Sequence, residues 1–175
     1  YGLYQVVGDI GVLYLHPEHT HLPETLTTMP QYDGELEAPD FALRGFHEHT
    51  QHPIVMSDYF MRPNVEGFRE GTRRYILWLA RNRQNYMSFH LLNTVDFESW
   101  LPWMSDIITE AHDHGVEVGA GFSFADQQQH CFKLLDDTST EPVNAQITTG
   151  LDRVLSAGFD HVILQIGTSE FTRPE

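Results

Sequence analysis

From Phe41 onward the chain alternates strand-like and helix-like segments three times and then closes on a fourth strand. FALRGF (41–46) has strand character. Val65 to Gln84 carries Phe68, Ile76, Leu79 and Ala80 on one helical side, and Tyr86 to Leu92 is the next strand. Asp96 can N-cap a second helix with Trp100, Leu101, Met104, Ile107, Ile108 and Ala111 on one stripe. Gly115 ends it, and Val116 to Phe122 is the third strand. A polar stretch (123–143) reads as a decorated loop, and a third helix follows over Asn144 to Ser156, with Ile147, Leu151, Val154 and Leu155 facing inward. Gly158 then leads into a strand over Phe159 to Ile166, whose apolar run Val162–Ile166 predicts burial on both faces. Such alternation demands parallel strands joined by helical crossovers. Four strands of this kind make either half of a (β/α)₈ barrel or a small open sheet.

The segment before Phe41 has a different character. Leu3, Tyr4, Val7 and Ile10 fall at helical spacing, Gly11 is a stop, and Val12 to Leu15 is a short strand. Residues 16–40 are rich in Pro, Thr, Glu and His, and Pro23, Pro30 and Pro39 argue against helix there. They read as extended chain with one or two edge strands.

Composition narrows the partners. Lys and Arg number 10 against 25 Asp and Glu, a net charge of −15. Nucleic acid and anionic membranes both need a basic face, so neither is expected as a partner. No apolar run reaches the roughly 20 residues that span a bilayer. Cys131 is the single cysteine, so no internal disulfide forms. A chain without disulfides is compatible with secreted, periplasmic and cytoplasmic locations alike. With no Gly-rich phosphate loop, Ser nucleophile elbow or Cys–His constellation, no cofactor is expected.

In parallel α/β proteins, groups at the C-terminal ends of strands converge on one rim. The first strand brings Arg44, His47, His49 and His52, and the second His90 and Asn93. The third brings Ser123 and Asp126, and the fourth Glu170. This mixed set of donors and acceptors suits a sugar. Glu170 among apolar walls would have a raised pKa and could protonate a leaving oxygen; its bland alternative is a solvated carboxylate. Arg44 inside a strand needs a partner, either a substrate oxygen or an internal acid such as Glu48 or Glu170. The His-x-His of His47 and His49 shares one strand face and offers a rival reading, a metal-dependent hydrolase, which would want further ligands from later strands. His112 and His114 complement a helix C-terminus.

RGFHEHTQHP (44–53), RNRQNYMSFHLLN (81–93) and LQIGTSEF (164–171) follow one another on three strands. In that order they resemble the β-hexosaminidase-like glycoside hydrolases and relatives such as the α-glucuronidases. The opening YGLYQVVGDIGVLYLHPE resembles the end of the small α+β domain that precedes the barrel in those enzymes.

The resemblance implies an α/β chain with three parts. Residues 1–30 would be the C-terminal end of an accessory α+β domain, 31–40 a linker, and 41–175 the first four strands of a (β/α)₈ barrel. It implies a carbohydrate substrate, with Arg44 on sugar hydroxyls, His90 and Asn93 lining the subsite, and Glu170 as general acid; His49 and His52, from their place at the rim, are counted with the substrate-binding residues. Ser169 stands where those enzymes carry the Asp that orients an acetamido group, and is counted with the substrate-binding residues. Asn93 stands in place of an Asp, Ser88 of a His, and His49 of the first-strand Asp. A substrate lacking an N-acetyl group follows from these departures. Hydrolysis needs a second carboxylate. That group is expected from a later strand, so the 175 residues alone are expected to be inactive. A non-catalytic carbohydrate-binding relative is the remaining alternative.

Overall fold

The computed structural model describes residues 2–25, 28–29, 31, 38–52, 54–124 and 130–165. Helix α1 (Gly2–Asp9) leads into a hairpin of β1 (Leu13–His16) and β2 (His19–His21), paired antiparallel with an irregularity between Tyr14 and His16. Gly11 makes the turn between α1 and β1 at φ 95°, a left-handed conformation that other residues adopt only with strain. Then come β3 (Gly45–Glu48), α2 (Val55–Met61), α3 (Phe68–Arg81), β4 (Tyr86–His90), α4 (Phe97–Asp113), β5 (Glu117–Ser123), α5 (Val143–Leu155) and β6 (His161–Gln165).

The last four strands form one parallel sheet in the order β3-β4-β5-β6. Among the described residues β3 and β6 are its edges, and no closure joins them. This corrects the expectation of a partial (β/α)₈ barrel behind an α+β remnant. Alternation of strands and helices dictates parallel pairing, but closure also needs enough strands, tilted and staggered, for the first to meet the last. Four strands in direct order do not supply that.

The register assigns jobs to residues. Side chains alternate between faces along each strand. On β4, Met87 and Phe89 are fully buried toward the helices, as are Val118, Ala120 and Phe122 on β5. They pack with Phe60 of α2, Ile76 and Leu79 of α3, Trp100, Met104 and Ile107 of α4, and Val154 of α5. Trp100 anchors the layer by donating its indole N–H to the Phe60 carbonyl at 2.8 Å, and the Phe60 and Phe89 rings stack at 4.8 Å. The other face presents Tyr86, Ser88, His90, Gly119, Gly121, Ser123 and His161, the polar and small residues between the core positions.

Several local expectations shift. Strand β3 starts at Gly45, four residues after the predicted Phe41, because Arg44 is spent on the turn below it. Helix α3 starts at Phe68 because Gly67 takes φ 85°. Helix α2 escaped the sequence reading. Strand β6 is not buried on both faces: Val162 and Leu164 are 41% and 38% exposed, as befits an edge. Of the α5 residues expected inside, Val154 is buried and Ile147 and Leu151 pack against the core, but Leu155 is exposed.

The N-terminal hairpin docks on α3. Trp78 Nε1 and Asn82 Nδ2 both donate to the Tyr14 carbonyl, at 2.9 and 3.1 Å, and the Arg81 guanidinium lies 4.9 Å from the Tyr14 ring centre. Among the described residues no helix is long and apolar enough to cross a membrane.

Candidate functional site

Polar side chains converge where β3 and β4 end. His47 is paired in register with Ser88, so both leave the sheet on its open face, and His90 follows two residues along. His47 Nδ1 lies 2.9 Å from Ser88 Oγ, and His47 Nε2 lies 2.9 Å from His90 Nδ1. The two imidazoles meet edge to face at 4.6 Å. His49 lies beyond the end of β3, 4.5 Å from the His52 ring and 6.4 Å from that of His90. Thr50, fully buried, donates its hydroxyl to the His90 carbonyl and ties the β3–α2 turn to the tip of β4.

Two glycines make this arrangement possible. A Cβ on Gly121 of β5 would come within 3.1 Å of His90 Cδ2, and one on Gly119 within 3.1 Å of Ser88 Cβ. Their absence of side chains leaves room for the imidazole and the serine beside β5. Gly45 has a backbone role: its Cβ would fall 1.7 Å from the Tyr86 carbonyl oxygen. The Arg-Gly pair noted in the sequence is therefore demanded by strand approach at its second position.

Burial holds the His47 and His90 rings toward the neutral form. Burial, then the neighbouring His47 and His49, push the His90 pKa down to about 4. His47 is also lowered, by burial and then His49, against an opposing pull from Glu48. Neutral imidazoles each carry one donor and one acceptor nitrogen. Glu48, the carboxylate that pulls on His47, turns to the helical side and accepts from the Tyr75 hydroxyl.

The remaining expected residues are placed as follows. Arg44 sits below β3. Its Nε donates to the Arg83 carbonyl at 3.1 Å and its Nη1 to the Phe41 carbonyl at 2.5 Å. It lies level with Asn85, whose side chain accepts the Arg44 backbone N–H, and is thus about 16 Å along the sheet from His90. The structure does not bring Arg44 to the rim. Asn93 is exposed in the turn after β4, its backbone N–H donating to the His130 carbonyl at 2.8 Å. Ser123, fully buried at the end of β5, lies under the 130–134 segment, which hydrogen-bonds to Leu91 and Ser123 across the strand ends. Burial pushes up the pKa of the Cys131 thiol in that segment, while hydrogen bonding with Ser123 and Gln51 lowers it. Asp126, Ser169 and Glu170 lie outside the described residues.

No family model, curated protein or solved structure matches the chain. The site's chemistry therefore rests on its own residues. Among the described residues no group of three or more His, Cys, Asp or Glu is arranged to hold a metal ion. The ring nitrogens of His47 and His90 face each other instead.

The pairing of His47 with His90 is what sequence reasoning missed. The two are 43 positions apart, and the visible signal was the local His-x-His. A period-two argument over both strands would have put His47, Ser88 and His90 on one face, had the register been known.

Proposed function

We propose that the protein binds a neutral carbohydrate at the His47–Ser88–His90 rim and acts as a glycoside hydrolase, with Glu170 as the acid that protonates the leaving oxygen. The observation that carries the binding half is the His47–His90 imidazole contact of 2.9 Å at the C-terminal ends of two adjacent parallel strands, where burial favours the neutral form of both rings. A charged histidine cluster would favour anions. A neutral one offers single donors and acceptors, the pattern that sugar hydroxyls complement. Strand C-terminal ends are also where open parallel sheets hold their ligands. The catalytic half is supported by the resemblance of the 164–171 segment to the acid-bearing strand of the hexosaminidase-like enzymes.

Binding and turnover are tested separately. Neutral mono- and disaccharides are titrated into the protein and followed by ligand-observed NMR. Saturation transfer from the protein, weakened about tenfold or more in His90→Ala, supports the reading. Absence of binding at millimolar sugar, or tighter binding of anionic sugars, refutes it. For turnover, the natural protein is assayed on aryl glycosides. Glu170→Gln is expected to lower kcat by about 10²-fold or more while leaving binding in place.

A further inference from the structure

We infer that Ser88 and His47 are positioning residues that fix the direction of the hydrogen-bond chain Ser88–His47–His90, so that His90 presents Nε2–H as a donor to an acceptor oxygen of the ligand.

The direction follows from counting protons. Each contact in the chain, Ser88 Oγ to His47 Nδ1 and His47 Nε2 to His90 Nδ1, measures 2.9 Å. Neutral imidazole has one N–H, so fixing either contact fixes the other. In one direction the Ser88 hydroxyl donates to His47 Nδ1, His47 Nε2–H donates to His90 Nδ1, and the His90 proton sits on Nε2. In the reverse direction His90 Nδ1–H donates to His47 Nε2, His47 Nδ1–H donates to Ser88, and His90 Nε2 is a bare acceptor.

Ser88 decides between them. It is 1% exposed, and among the described residues its hydroxyl oxygen has His47 as its partner. The reverse direction would leave the serine O–H buried with no acceptor, and an unsatisfied buried donor is the costlier error. Ser88 thus holds His47 as acceptor on Nδ1, and His47 in turn holds His90. Gly121 matters here too: a Cβ at that position would stand 3.4 Å from His90 Nε2, the nitrogen that this direction leaves as donor.

The consequence is selectivity. An oxygen that can accept is recognised at this point, whether a ring or glycosidic oxygen or a hydroxyl used as acceptor. A ligand that offers only a donor there, such as an ammonium of an amino sugar, is rejected. The ligand class rests on the carbohydrate reading above. The direction of the chain does not.

The test is ¹⁵N NMR of the histidine-labelled protein at pH 7.5, which reads which nitrogen of each ring is protonated. His47 and His90 are both expected as Nε2–H tautomers. Either ring in the Nδ1–H form overturns the proposal. In Ser88→Ala the bias is lost, and both rings should shift toward mixed tautomers, with affinity for neutral sugar falling about threefold to tenfold. Unchanged tautomers in that variant also overturn it. Should Ser88→Ala fail to fold, the wild-type spectrum decides alone. If both rings hold Nε2–H while no sugar binds, the carbohydrate reading falls and the relay stands.

Discussion

Acidification probes the imidazole pair directly. The folded-state pKa of His90, about 4, lies below its ordinary value of 6.5. As pH falls through 6.5 the unfolded chain takes up the proton first, so stability is full above that value. It is lost progressively down to about 4, below which both states are protonated. At 1.36 kcal/mol per pKa unit the whole shift would be worth about 3 kcal/mol. The ring is partly open to water, so about half should survive screening, about 1.5 kcal/mol. Urea unfolding of wild type and His90→Gln at pH 7.5, 6.5, 5.5 and 4.5 measures it. Subtracting the two curves removes the titration of the many carboxylates. His90→Gln should lose about 1.5 kcal/mol less than wild type between pH 7.5 and 4.5. His47 is shifted the same way and adds to the fall that both proteins share. Parallel curves, or a His90 ring that titrates near 6.5 by NMR, would refute the claim that burial and neighbouring imidazoles keep it neutral.

Other expectations follow from single contacts. Gly45→Ala puts a methyl 1.7 Å from the Tyr86 carbonyl and should cost more than about 3 kcal/mol, read as a lowered Tm with loss of the β3 amide protection in hydrogen exchange. A normal Tm would mean that β3 does not approach β4 so closely. Asp96, whose side chain accepts the Glu98 N–H at 3.3 Å, caps α4; Asp96→Ala should cost about 1 kcal/mol in urea unfolding at pH 7, and no change would remove the cap. Trp100→Phe keeps an aromatic ring but strands the Phe60 carbonyl, so a loss of about 1–3 kcal/mol is expected by the same assay.

What could be read from the sequence was what local periodicity encodes. The stripe of α4, its Asp96 cap and the glycine stop at 115 all emerged from spacing, and in the structure Trp100, Met104, Ile107, Ile108 and Ala111 are indeed buried. Alternation correctly implied parallel pairing, yet it says nothing of whether the first strand meets the last. Helix α2 lies between Pro53 and Pro63 and spans seven residues, too few for a repeating stripe to stand out. Strand β6 read as doubly buried because an edge strand and a central one carry the same apolar letters. For the site, the His49 ring lies 6.4 Å from that of His90 and 4.5 Å from that of His52. Arg44 was assigned to the wrong end of its strand, since sequence pattern does not reveal where a strand begins. The link between His47 and His90 depends on register across 43 residues, a tertiary fact with no local signature.

The two-residue rhythm of β4 and β5 has a consequence for how this protein can change. Met87 and Phe89 belong to the interior, while Ser88 and His90 belong to the open face, and Val118, Ala120 and Phe122 are likewise interleaved with Gly119, Gly121 and Ser123. Neighbours in the chain thus answer to different selective demands. A library that randomises only the even-numbered β4 positions could rewrite what the surface grips while leaving the packed layer behind it untouched.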